Sequence, residues 1–364
     1  VTTRSVHASI AALIVGIGSL TPTAESRAAN FCVNTSNALR QALLTAASNG
    51  ESDTVRIEAG TYTGSGGNLA FPYNTVQNFA LNVSGGWVSL GSQPCIQQIL
   101  QPGNTVLTGS NTSQVLNING GNGSGQQTLS NLTLRNGFTS QSGAGLSIGG
   151  AGGFDGRVLV TRVLFDRNES TSSAGGMSIS TQGIATVLNN VFLLNRCGQQ
   201  FCGLSATVNA ESATTLRASF GNNTFVGNGC PPGPCSAETG GARFGGTASA
   251  IFYNNLFALN SGADIALTSP NIELRNNNYV SIVGTPLMQS GNINFANPQF
   301  IDLLNDDLRL LVGSPLRNAG TNVYTLLGQD FSGLPRINDL VVDIGAYEIQ
   351  EAVFADQFEL VNVE

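Results

Sequence analysis

Six charged residues, Asp155, Arg157, Arg162, Asp166, Arg167 and Glu169, crowd into one short stretch, and the run from Ser170 to Asn195 behind it carries no charge. Guanidiniums beside carboxylates can do two kinds of chemistry. Arg162 or Arg167 could abstract a proton next to a uronate carboxyl while Asp155 or Asp166 holds a calcium ion that neutralises it, which is lyase chemistry. Asp155 and Asp166 together could instead be the paired carboxylates of a glycoside hydrolase. The plain alternative is a group of surface ion pairs of little energetic weight.

The rest of the inventory narrows these options. All 15 basic residues are Arg, and the single histidine is His7. Arg4 and His7 precede the apolar run Ile10 to Gly18, and Ser26, Ala28 and Ala29 follow, the layout of a secretory signal peptide over residues 1–29. The run is too short to span a bilayer, so no membrane insertion of the mature chain is expected. With residues 1–29 removed, neither His nor Lys remains to act as a base, and the Asn-Thr-Asp and Gly-His-Gly phrases of polygalacturonases are missing. We therefore expect a non-catalytic protein; a pectate-lyase-like polysaccharide lyase ranks next and a glycoside hydrolase last. No cofactor is expected, except calcium if the chain is a lyase. A net charge of −7 argues against a nucleic-acid partner.

Six cysteines, an even count in a chain expected to be exported, point to disulfides rather than to a metal. Cys197 with Cys202 and Cys230 with Cys235 stand at equivalent places in neighbouring repeats and read as local loop bridges. That leaves Cys32 with Cys95.

What must position these residues is a repeat. Phe165, Phe192, Phe225 and Phe257 are each followed three places later by an asparagine, Asn168, Asn195, Asn228 and Asn260, and a looser copy ends at Asn136. A period of about thirty residues is that of a solenoid. Runs such as Val158-Leu159-Val160-Thr161 are β-branched and alternate with period two, while paired glycines at 175–176 and 240–241 mark corners. Each repeat therefore reads as short strands and turns that can bury an apolar face only by stacking. The expected fold is all-β, a single-stranded parallel β-helix with an aromatic file inside. The asparagines are expected to sit in left-handed turns and to bond coil to coil, and the paired glycines to adopt backbone conformations closed to other residues.

The ends differ from the middle. Residues 30–60 hold the one helical stretch, Ala38 to Ala47, behind capping residues Asn34 to Asn37, and read as an N-terminal cap. The β-helix spans residues 61–295, with Trp87 buried beside a disulfide. Residues 296–349, richer in Pro and Asp, read as a C-terminal cap over the last coil, and residues 350–364 as an exposed tail.

The Phe-x-x-Asn and Gly-Gly-Ala phrases resemble the repeats of polymorphic outer-membrane proteins. Asn297 to Glu348 is similar to the C-terminal region of β-helix proteins grouped as choice-of-anchor Q, and Phe354 to Glu359 to terminal tags of exported Gram-negative proteins. The resemblance implies a right-handed parallel β-helix at the surface of, or secreted by, a Gram-negative bacterium. The expected partner is a glycan or a cell-surface protein, met by a monomer that acts in adhesion or binding.

Overall fold

The computed structural model describes residues 28–64, 66–121, 125–150, 153–210, 216–230, 239–324 and 327–350. Residues 1–27 of the expected signal peptide and the tail beyond Gln350 lie outside them. Strands of the same repeat position pair in parallel from coil to coil. Eight of them, from Leu69–Asn74 to Ile282–Val283, follow one another in sequence order within one sheet, and the opposite wall belongs to an 18-stranded sheet. This is a parallel β-helix.

Alternation decides which side chains go inside. In the eight-stranded sheet Leu116, Leu146, Met177, Leu204, Ala242 and Ile265 lie in one register column, and Ile118, Ile148, Ile179, Ala206 and Phe244 in the next inward one. Facing them are Leu129, Val160, Val187, Phe220, Phe252 and Leu274. All are buried in one continuous core. No coil could close this core alone, so stacking and strand formation are one event.

The aromatic file is as expected. Phe165, Phe192, Phe225 and Phe257 stack with ring centroids 4.6, 4.4 and 4.6 Å apart and planes within 7°. The rung spacing of a parallel sheet, about 4.8 Å, sets that offset. Beside the file, the N–H and side-chain amide of Asn168, Asn195 and Asn228 each donate to the Oδ1 of the asparagine one coil on, at 2.9–3.1 Å.

Three details differ from expectation. The left-handed turn residue is not the ladder asparagine but the one before it, Arg167, Leu194, Gly227 or Leu259. Asn136 is not a rung of the ladder: strand register places Asp166 opposite Arg135, so Asn136 matches Arg167 and the amide of Gly137 takes the rung, donating to Asn168 Oδ1. The paired glycines answer to close approach rather than to a special φ. A Cβ on Gly176 would sit 2.4 Å from the Gly203 carbonyl oxygen, and one on Gly241 2.0 Å from that of Asp264.

A second ladder stands at another corner. Asn190, Asn223, Asn255, Asn277 and Asn292 repeat the same amide bonds, and Asn189, Asn222, Asn254 and Asn276 precede the first four with φ near +50°. Here the tolerance of asparagine for the left-handed region is used, by the first member of each pair.

At the N-terminal end the helix Ser36–Ala46, capped by Thr35, buries Leu39, Ala42, Leu43 and Ala46. The strand Asn30–Val33 pairs with Asp53–Glu58 as a first rung. Cys32–Cys95 and Cys197–Cys202 are bridged. Cys230 is also disulfide-bonded, and Cys235, its expected partner, lies outside the described residues.

Residues 296–349 pack on Ile293 of the last coil but reach far beyond it. They turn back along the flank, where Leu308, Leu310, Leu316, Ile344 and Ala346 cover the outward-facing Val191, Leu193, Val226, Leu256 and Ala258. Polar contacts follow the same path. Asn276 donates to Ala319 O, Asn254 to Thr321 O and Asn189 to Gln329 O, while the Ala346 N–H donates to Thr224 Oγ1. The reason is in the coils: those outward positions are apolar, and an apolar outer column has to be covered. The segment is pinned by Arg336, fully buried, which pairs with Glu348 at 3.1 Å and donates to the Asp343 and Ala346 carbonyls.

Candidate functional site

The strand Val158–Asp166 separates the four charged candidates. Asp166 ends it, facing outward in the column of Leu193, Val226 and Ala258. Its carboxylate is almost fully buried and pairs with Arg135 at 3.1 Å and with Arg167, which reaches Asp306 of the flank segment at 2.8 Å. Burial pushes the Asp166 carboxyl up, and Arg167 and Arg135 pull it back. Arg162 has a left-handed backbone, and burial lowers its guanidinium pKa against the opposing pull of Asp330, again in the flank segment. Arg167 thus bridges Asp166 to the flank segment through Asp306.

Asp155 lies at the other end of the strand, in the corner before it. There it lines a cavity of about 520 Å³ with Gln182, Gly183, Asn209, Ala210 and Arg217. Asp155 and Asp166 therefore share no site, and the two-carboxylate arrangement is not formed between them.

A second cleft follows along the same corner in the next coils. Leu216, Ser249, Ile251, Asn271, Glu273, Leu287 and Tyr324 enclose about 330 Å³. Every one except Tyr324 lies at or just before a strand of the 18-stranded sheet, and Leu216 of this cleft is the sequence neighbour of Arg217 of the first. Tyr324 comes from the flank segment and leans on Tyr253 with ring centroids 5.3 Å apart. Glu273 is held by Arg275 at 2.7 Å. Tyr324 could not be placed here from sequence, because only the folding back of residues 296–349 brings it to this corner.

The other expected features resolve simply. Trp87 is half-buried rather than buried, with Arg56 over its ring at 4.5 Å and its indole N–H on Ser84. Among the described residues, the cluster of metal-ligating types is Cys32, Glu58 and Cys95, and both sulfurs there are spent on the disulfide. No described helix is long and apolar enough to cross a membrane.

The chain is thus a parallel β-helix with two clefts, one lined mainly by polar and one mainly by apolar side chains. No family model matches it, and no curated protein does either. Among solved structures it is similar to the crystal structure of pectate lyase Pel9A, at 14% identity over 88% of this chain and 96% of that one. The TM-score of 0.38 is too low for that likeness to bear on function.

Proposed function

We propose that this protein is an exported, non-catalytic β-helix of the cell surface or secreted fraction, and that it binds a glycan along the corner running from Asp155 to Tyr324. The observation that supports this reading is that neither cleft brings two carboxylates together, although Arg217 lines the first beside Asp155. Each cleft offers one carboxylate, Asp155 or Glu273, whereas glycoside hydrolysis uses two. The arginines a lyase would use as base, Arg162 and Arg167, face the flank segment. What the clefts do offer is amides and a hydroxyl for sugar hydroxyls, from Gln182, Asn209, Asn271 and Ser249. Tyr324, Leu216 and Ile251 add an apolar surface for the C–H face of a ring. The disulfides suit an oxidising compartment.

The test is to pass the purified protein over a panel of neutral and uronate polysaccharides, with and without calcium. Retention without new ends is expected, and Tyr324→Ala with Asn271→Ala should weaken it at least tenfold. New unsaturated or reducing ends would establish an enzyme and overturn the proposal.

A further inference from the structure

We infer that the last coil is a self-association surface, on which a second copy of this chain docks end to end about a two-fold axis. The inference does not rest on glycan binding, although Leu287 belongs both to this end and to the second cleft.

Among the described residues, Ile282–Val283, Met288–Ser290 and Ile293–Asn294 each pair only with the coil before them. They form an open edge of strands at the one end that residues 296–349 pass by. Open edges in monomeric proteins are commonly guarded by charge, by Pro or by a covering element. Here the guard of charge is missing: from Asn276 to Ile301 no residue is charged, in a chain with 37 charged side chains by the totals of 15 basic and 22 acidic. Large apolar side chains stand exposed instead, Phe295 at 71%, Leu287 at 65% and Val283 at 54%. The second asparagine ladder also ends here, at Asn292, in the position where a further rung would continue it.

Two arguments select a second copy as the occupant. The chain carries a net charge of −7, so most faces of two copies repel, and this uncharged end is where they can meet without that cost. An open strand edge is also complementary to its own two-fold image, because alternating N–H and C=O groups meet their counterparts in antiparallel pairing. Head-to-tail stacking is closed off at the other end. The helix Ser36–Ala46 lies over the first coil there, and Arg40 donates to the Ala70 and Thr63 carbonyls that a neighbour's edge would need. Like end on like end gives a closed dimer, not a filament.

Sedimentation velocity of the full chain from about 1 to about 100 µM tests this by mass action. We expect a species of twice the single-chain mass. Val283→Lys combined with Phe295→Lys should return it to one chain, because four like charges then meet across the axis. Leu304→Lys, on the flank segment and 95% exposed, should leave the dimer intact. If the double variant does not fold, hydrogen exchange on the unaltered protein decides: amides of residues 282–295 should exchange more slowly as concentration rises. A single-chain mass throughout, a folded double variant that stays dimeric, or concentration-independent exchange would each overturn the inference. So would a dimer that forms only after cleavage behind Gln350, since the tail would then be the occupant.

Discussion

Replacing Asn223 by alanine tests whether the inner amide ladders hold the coils together. The side chain is fully buried; its Oδ1 accepts from the N–H and Nδ2 of Asn190 at 3.0 Å, and its Nδ2 donates to Val187 O at 2.9 Å and Asn255 Oδ1 at 3.0 Å. In Asn223→Ala, the Asn190 N–H and the Val187 carbonyl lose this partner where water does not reach. Asn190 Nδ2 keeps Val160 O. Two orphaned buried groups at about 1–3 kcal/mol each put the loss near 2–6 kcal/mol. Asn292→Ala removes the same kind of amide from the last rung, where the side chain is only half-buried and water can replace it, so the loss there should be under about 1.5 kcal/mol. Urea unfolding followed by far-UV circular dichroism reads both, with an unchanged m-value as the check on cooperativity. A loss below about 1 kcal/mol at Asn223, or equal losses at both sites, would refute the reasoning.

Three further outcomes follow from packing, cross-links and burial. Phe192→Ala, in the middle of the aromatic file, should cost about 3–5 kcal/mol in the same assay, since two stacked neighbours lose their contact. Replacing Cys32 and Cys95 by serine should cost about 2 kcal/mol more than replacing Cys197 and Cys202, because loops of 63 and 5 residues differ in closure entropy; equal midpoints would contradict this. Glu348 is pushed by burial from 4.5 to about 7, against the pull of Arg336. A carboxyl raised on folding gives stability that is complete below its unfolded value and is lost as pH rises through its folded one. Melting temperature should therefore fall between about pH 5 and pH 8, and Glu348→Gln should flatten that slope; a slope left unchanged by the substitution would exclude Glu348 as its cause.

Parts of this fold were legible because side-chain period and chain period coincide. Phe165, Phe192, Phe225 and Phe257 recur at one place in each repeat, and a parallel stack has no other arrangement that buries them all. The second ladder left its own trace in the doublets Asn189-Asn190, Asn222-Asn223, Asn254-Asn255 and Asn276-Asn277, overshadowed by the aromatic phrase. Asn136 misled because a motif three residues long does not report a shift of one in register. The charged cluster misled for a different reason. Outward side chains of a solenoid were expected to meet solvent, but Asp166 is buried beside Arg135 and Arg167, and contacts such as Arg167 with Asp306 span a sequence distance that no local pattern encodes.

The path of residues 296–349 changes how the whole rod can come apart. In a stack where each storey touches only the ones above and below, melting can begin anywhere and peel away a storey at a time. Here one strap bonds to storeys as far apart as Arg167 and Asn276. It acts as a splint laid along the shaft, so fraying of a middle storey has to break the splint as well, and the rod should hold or fail as a unit.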